Sequence, residues 1–235
     1  MSQTLQKYDP ERLCAYLQHH VAEFSGLAEI VKFSDGQSNP TYKLTDTAGR
    51  HFVLRAKPPG TLLKSAHAVD REFRVMTALA TTAVPVPQML HLSGEDSPLG
   101  AQFLVMEHLE GRVFWDPALP EQSPKFRQDA DHALVQTLAA LHDVDPQAVG
   151  LADFGKPGNY FSRQVSRWTG QYRACETQSR PDMDWTIDWL DRNMVQDDGQ
   201  IAIVHGDYRL DNVMFDAKTP DMIAVLDWEL STLGH

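Results

Sequence analysis

The stretch IAIVHGDYRLDN, residues 201–212, sets four apolar residues directly ahead of a polar loop. The apolar run 201–204 predicts a β-strand, and the loop behind it carries His205, Asp207 and Asn212. A strand that leads into such a loop delivers polar groups to the edge of a sheet, where α/β proteins usually bind ligands. The stretch therefore predicts a functional loop at a strand end.

A further acidic residue follows on the next hairpin. The runs VMF (213–215) and MIAVLD (222–227) flank the turn DAKTP and predict two strands joined by a tight turn. Because a hairpin brings its outer ends together, we expect Asp227 to lie beside Asn212. Two aspartates and an amide oxygen that converge on one point suit a hard cation such as Mg²⁺. A phosphoryl-transfer site needs such a cation and a carboxylate that accepts the proton of the attacking hydroxyl.

The composition narrows the class of protein. The chain has 235 residues and a formal net charge of −11, which argues against nucleic acid or an anionic membrane as a partner. Its two cysteines, Cys14 and Cys175, are too few for a disulfide framework and indicate reduced thiols. The N-terminal sequence has no apolar signal region, and no apolar run reaches membrane-spanning length. We therefore expect a cytoplasmic protein, with an oligomeric state that the sequence does not indicate.

The order of elements predicts a β-rich first part and a mostly helical second part. Asp9-Pro10 opens a helix with Leu13, Leu17, Val21 and Phe24 on one face. Residues 28–60 predict three strands with turns at Asp35-Gly36 and Ala48-Gly49, residues 66–80 a helix, and residues 84–111 two more strands. Further helices are expected over 126–142, 160–176 and 184–194.

Several motifs together resemble a known family. H-G-D-x-x-x-x-N followed by a hairpin and D-W-E resembles the loops of the aminoglycoside phosphotransferase and choline kinase family, whose protein-kinase relatives carry H-R-D-x-x-x-x-N and D-F-G. The stretches GQSNPTYKL, FVLRAKPPG, SAHAVDREFRVMTAL, FLVMEHLEG and VHGDYRLDNVMFD are similar to the kinase-like domain found alone in bacteria and fused to acyl-CoA dehydrogenases in animals. The likeness spans nearly the whole chain.

The resemblance implies a two-lobed, protein-kinase-like α+β fold. An antiparallel-sheet lobe, residues 1–107, would bind the nucleotide, and a mainly helical lobe, residues 108–235, would carry the catalytic and metal-binding loops. Family members continue past D-W-E with helices that complete the substrate pocket, so we expect this second lobe to be incomplete. The implied reaction is Mg²⁺-assisted transfer of the γ-phosphate of ATP to a hydroxyl of a small molecule. Hydroxyacyl thioesters, aminoglycosides and choline-like alcohols are the acceptors it suggests.

The same resemblance assigns roles to particular residues. It makes Asp207 the catalytic base, and Asn212 and Asp227 the metal ligands. The family places a phosphate-binding cation on its third strand, paired with a helix carboxylate. Here Arg55 stands where kinases carry Lys, with Glu72 as its expected partner. Lys57 lies two residues on and, by strand alternation, on the same face, so it remains an alternative to Arg55.

Two segments are implied to contact the nucleotide mainly through their backbones. Residues Gln37, Ser38 and Asn39 would cover the phosphates, although this loop has one glycine where protein kinases have three. The backbone of Glu107, His108 and Leu109 would bond the adenine edge. His205 is expected to support the catalytic loop.

Two other functions remain open at this stage. A metallohydrolase would use His205, Asp207, Asp227 and His235 as metal ligands. Metallohydrolase sites usually contain more histidines, however, and a hairpin that begins with an asparagine has no role in them. A catalytically silent, nucleotide-binding kinase-like scaffold is the second alternative. The retained Asp207, Asn212 and Asp227 argue against it, whereas the arginine at position 55 leaves it open.

Overall fold

A computed structural model describes residues 9–33, 39–58 and 68–235 of the chain. Its helices are α1 (Pro10–His20), α2 (Val69–Leu79), α3 (Pro124–His142), α4 (Tyr160–Cys175) and α5 (Pro181–Arg192). Its strands are β1 (Leu27–Lys32), β2 (Thr41–Asp46), β3 (His51–Ala56), β4 (Met89–Leu92), β5 (Phe103–Glu107), β6 (Gly111–Arg112), β7 (Ala202–Val204), β8 (Val213–Asp216), β9 (Met222–Val225) and β10 (Thr232–Gly234). Short 3₁₀ turns cover Leu210–Asn212 and Trp228–Leu230.

The chain divides into two compact units. The first comprises Met1–Ala140 and Gly206–Ser231, and the second comprises Leu141–His205 and Thr232–His235. The predicted lobe division after residue 107 coincides with the end of β5, but the first unit also takes in β6, most of α3, the loop 206–212 and the β8–β9 hairpin. The division into lobes therefore stays a prediction, distinct from these two units.

The first unit is built on an antiparallel sheet in the order β1-β2-β3-β5-β4. One face of this sheet packs against Leu13 and Leu17 of α1, and its buried residues are Tyr42, Leu44, Phe52, Leu54, Ala56, Phe103 and Val105. Alternation sends Val53, Arg55 and Met106 to the other face, where Val53 lies opposite Met106 in the register. The sheet thus has one face that forms core and one that carries Arg55.

The ends of two predicted helices differ from expectation. Asp9 caps α1 by accepting hydrogen bonds from the backbone N–H groups of Glu11 and Arg12, as the sequence predicts, but the helix ends at His20. Val21 is extended with φ −112°, so Val21 and Phe24 are buried from the following loop instead of from the helix. Helix α5 begins at Pro181, three residues before the predicted start, because proline suits the first helical turn.

The second unit contains α4, α5 and the β7–β10 pair, with Leu141, Leu151, Phe154, Ile203 and Leu233 buried. Helices α4 and α5 are joined by the Arg173–Asp184 ion pair at 2.5 Å, and neither helix buries a residue. Within the described ranges, no helix combines the length and the apolar character needed to cross a bilayer.

Candidate active site

Arg55 on β3 is the centre of an ion-pair cluster in the first unit. Its Nε lies 3.0 Å from Oε2 of Glu72 on α2, and its Nη2 contacts Oδ1 of Asp227. Among the described residues, neither Arg55 Nε nor Glu72 Oε2 has a partner with hydrogen-bond geometry, so the Arg55–Glu72 contact is an ion pair without a directed hydrogen bond. The structure thus brings together the predicted cation, its predicted helix partner and a predicted metal ligand.

Lys57, the alternative cation, points to other carboxylates. Its Nζ lies 3.4 Å from Oε1 of Glu95 and 3.8 Å from Oδ1 of Asp70, and both of these acidic side chains are exposed. Exposed pairs of this kind contribute little to stability. Since Arg55 occupies the ion-pair cluster and Lys57 does not, the geometry favours Arg55 for the phosphate-binding role.

Glu72 is a buried carboxylate, with 1% of its surface exposed. Burial raises its pKa to about 7; Arg55 opposes this shift, while the charges of Asp227 and Glu229 add to it. The backbone N–H of Trp228 donates a hydrogen bond to Glu72, which favours the ionised form. One guanidinium therefore faces three carboxylates, and this excess of negative charge favours binding of a further cation.

The loop 206–212, which the sequence predicts to be catalytic, is held in a defined shape by its own residues. Asn212 Nδ2 donates to the backbone oxygen and to Oδ2 of Asp207, both at 2.9 Å. Tyr208 donates its hydroxyl to the backbone oxygen of Leu134 at 2.8 Å, and burial raises the pKa of this tyrosine to about 12. Gly206 adopts φ +89°, and a Cβ there would lie 2.5 Å from the oxygen of Leu230, so only glycine fits.

The β8–β9 hairpin brings Asn212 and Asp227 together, as its sequence predicts. Val213 pairs with Val225, and the N–H of Leu226 donates to the oxygen of Asn212 at 2.8 Å. Asp227 has the left-handed backbone angles φ 61° and ψ 59°. A non-glycine residue in this region costs about 1–2 kcal/mol, and such residues cluster at functional sites.

A cavity of about 600 Å³ lies beside several of these groups, although Asp207 is not among the residues that line it. Arg55, Glu72, Asn212 and Asp227 line it, as do the predicted segment 107–109 and Asp211. Its apolar lining was not predicted and includes Val53, Met76, Met106, Val113, Met214 and Leu226. Some of these residues could have been found from the sequence. Val53 lies two positions before Arg55 on the same strand face, and Met106 and Leu226 directly precede the predicted site residues Glu107 and Asp227. Apolar walls with a few convergent polar groups are typical of a site for a small molecule.

The segment 107–109 lines the cavity, but part of its backbone is already engaged. The N–H of Glu107 donates to the oxygen of Gln88 at 3.0 Å, and the N–H of Gln88 donates to Oε1 of Glu107 at 2.7 Å. Burial, followed by the charges of Lys43 and His51, lowers the pKa of His108. Any adenine contact from Glu107 would therefore involve its carbonyl oxygen.

Of the three residues predicted to cover the phosphates, the structure describes only Asn39. Gln37 and Ser38 lie outside the described residues. Asn39 is described and is 2% exposed, and its Nδ2 donates to Oε2 of Glu229 at 3.3 Å. Its amide thus contacts the segment that follows Asp227, a contact that the sequence analysis did not predict.

The donor set at Asn212 and Asp227 fits Mg²⁺. The Asn212 amide nitrogen donates to Asp207, so the amide oxygen is the atom suited to a hard cation, and Asp227 offers a carboxylate. Mg²⁺ is usually held by one or two protein ligands together with substrate phosphates.

Across the part of the chain that the structure describes, no group of three or more His, Cys, Asp or Glu residues could hold a metal. The metallohydrolase alternative therefore has no ligand set among these residues.

His205, which would be a metal ligand in a metallohydrolase, is buried in the second unit with 1% of its surface exposed. Its role in supporting the loop stays a prediction.

Comparisons with known proteins agree with the fold and with the motifs. Residues 29–235 match the model of the phosphotransferase enzyme family, and the chain belongs to this family. A crystal structure from Ralstonia eutropha, of a candidate aminoglycoside phosphotransferase, is 49% identical, with a TM-score of 0.87 over 97% of this chain and 67% of that one. The streptomycin–ATP complex of APH(2″)-IIa, 17% identical, superposes with a TM-score of 0.62 over 94% of this chain and 71% of that one and shares the fold. The predicted kinase-like α+β fold is confirmed.

Acyl-CoA dehydrogenase family member 10 of mouse is 49% identical over 210 residues, which cover 89% of this chain and 20% of that protein. The chain spans 20% to 30% of the length of the curated relatives it matches.

Proposed function

We propose that this protein transfers the γ-phosphate of ATP to a hydroxyl group of a small molecule. The observation that carries the proposal is the meeting of Arg55, Glu72, Asn212 and Asp227 at one cavity, in a chain of the phosphotransferase enzyme family. The apolar part of that cavity suits a base, and its charged end suits phosphates. Kinase-type chemistry needs this combination of a positioned nucleotide and electrostatic stabilisation.

Each residue has a distinct role in the proposed reaction. The acceptor oxygen attacks the γ-phosphorus, the bond from that phosphorus to the bridging oxygen breaks, and ADP leaves. Asp207 receives the proton of the acceptor hydroxyl, and its orientation is fixed by the Asn212 amide. Arg55 binds the phosphates and is itself oriented by Glu72. A Mg²⁺ ion held by Asn212 and Asp227 would neutralise charge on the phosphates.

The acceptor is proposed at the level of a chemical class. Relatives named as acyl-CoA dehydrogenase family members favour a hydroxyacyl thioester. Aminoglycosides and choline-like alcohols are the remaining classes, and a relative of the same fold was solved with streptomycin and ATP. A panel of these hydroxyl compounds, assayed for ADP release, distinguishes the three classes.

The variant Asp207→Asn tests the catalytic assignment. Without the base, transfer should fall about 10²- to 10⁴-fold, whereas Mg²⁺-dependent ATP binding should stay within about threefold of wild type. Rates are measured by ADP release and binding by calorimetry. Near-normal turnover in Asp207→Asn would show that another group takes the proton. ATP binding by the wild-type protein without transfer to any acceptor class would instead support the silent scaffold.

A further inference from the structure

The segment that follows Asp227 is fastened to its surroundings by several contacts within the first unit. Trp228 is fully buried, and its Nε1 donates to the oxygen of Val225 at 2.9 Å. Its backbone N–H donates to Glu72. Arg71 donates through Nη2 to the oxygen of Ser231 at 3.1 Å. Helix α2 therefore holds this segment from one side.

A second side is held by Asn39 and Glu229. The Asn39 amide donates to Oε2 of Glu229 at 3.3 Å, although the two residues are 190 positions apart in the chain. Asn39 is 2% exposed, and its backbone oxygen accepts a hydrogen bond from Thr41 Oγ1 at 3.0 Å. The Asn39–Glu229 bond is half-buried and long, and it links two segments that are distant in the sequence.

We infer that Asn39 and Glu229 form a positioning pair for the metal ligand Asp227. This inference rests on the proposed function. Asp227 lies two residues before Glu229 and holds a left-handed backbone that the surrounding structure must maintain. With α2 holding one side of the segment, the bond from Asn39 fixes the other side and with it the direction of the Asp227 carboxylate. The side chain of Asn39 thus acts on Asp227 through Glu229.

A reciprocal exchange of donor and acceptor tests the pair. Asn39→Asp sets two carboxylates against each other, whereas Glu229→Gln keeps an acceptor for the Asn39 amide. The double variant restores the bond in reverse, with the new glutamine donating to the new aspartate. Calorimetry measures the affinity for ATP with and without Mg²⁺, and the ratio of the two affinities is the readout.

We expect Asn39→Asp to lower this ratio about 10- to 100-fold, because two carboxylates would then face each other where the amide now donates to Glu229. The double variant should return to within about threefold of Glu229→Gln. Asn193→Asp, at the end of α5 where the amide donates to Trp189, is a matched control that should leave the ratio unchanged. Thermal unfolding of each variant distinguishes a specific effect on the site from a general loss of stability. A general loss lowers the melting temperature without changing the ratio.

Three results would overturn the inference. One is a double variant as impaired as Asn39→Asp. Another is a Glu229→Gln variant that loses the Mg²⁺ effect by itself, because Glu229 would then bind the metal directly. A wild-type protein that binds ATP equally well with and without Mg²⁺ would overturn the proposed function, and the positioning role with it.

Discussion

Arg55 shows why an arginine can replace the lysine that kinases place on this strand. Its guanidinium reaches Glu72 through Nε and Asp227 through Nη2, two carboxylates that a single ammonium would contact less easily. In this arrangement the guanidinium proposed to bind phosphates contacts the carboxylate proposed to bind the metal. Phosphates and Mg²⁺ would therefore replace the Arg55–Asp227 contact together, with the phosphates taking the guanidinium and the metal taking the carboxylate.

Alanine variants of Arg55 and Lys57 form a matched pair, because each removes one cation. Arg55→Ala should weaken ATP binding at least about tenfold and should lower the melting temperature, since Glu72 would lose its buried counter-charge. Lys57→Ala should change ATP affinity by less than about twofold, because its partners are exposed acids. Calorimetry on both variants measures the difference. Equal losses of affinity would show that Lys57 also contacts the phosphates.

Among the structural elements, the β2–β3 hairpin depends on one buried acid at its turn. Asp46 accepts from the backbone N–H groups of Ala48 and Arg50 at 2.9 and 2.8 Å and from the Ser25 hydroxyl at 3.0 Å. Burial alone would raise the pKa of Asp46, but the hydrogen bonds from Arg50 and Ser25 outweigh it and lower the pKa to about 2. The ionised carboxylate is thus part of the turn that positions Arg55 on β3.

This lowered pKa predicts the pH dependence of the stability that Asp46 contributes. A folded-state pKa below the unfolded value of about 3.9 means that the contribution is complete above about pH 4 and is lost as the pH falls to about 2. The unfolding free energy of Asp46→Asn should therefore be lower than that of wild type at pH 7, and this gap should narrow between about pH 4 and pH 2. Urea unfolding across this range provides the measurement. A gap of constant size would contradict the assignment.

The sequence predicts elements better than it predicts contacts between them. The strands of the main sheet and the hairpin that joins Asn212 to Asp227 follow from local alternation and turn chemistry. The two-residue β6 and the three-residue β10 carry too few residues to show a pattern. The Asn39–Glu229 bond depends on how distant segments pack, so no local signal indicates it. The resemblance assigned the backbone around Asn39 to the phosphates, which stays a prediction, and gave no sign that the side-chain amide would donate to Glu229.

For the whole molecule, the groups proposed to bind and transfer the phosphate lie in one compact unit. Arg55, Glu72, Asp207, Asn212 and Asp227 all belong to the first unit, which also contains the cavity. The second unit exposes Trp168, Trp185 and Trp189 on its helices.

With a net charge of −11, the protein should repel a nucleotide unless cations compensate at the site. The proposed function therefore predicts a strong dependence of ATP binding on Mg²⁺.

The most direct test is a calorimetric titration of ATP, with and without Mg²⁺, into the wild-type protein, Asp227→Ala and Asp221→Ala. Asp221 is a matched control, since it lies in the turn of the same hairpin and accepts from Thr219 at 2.7 Å. Mg²⁺ should raise ATP affinity on the order of 10²-fold in wild type and Asp221→Ala, because the phosphates are held largely through the metal. In Asp227→Ala the Mg²⁺ effect should disappear. An Asp227→Ala protein whose ATP affinity responds to Mg²⁺ as wild type does would contradict the proposed site.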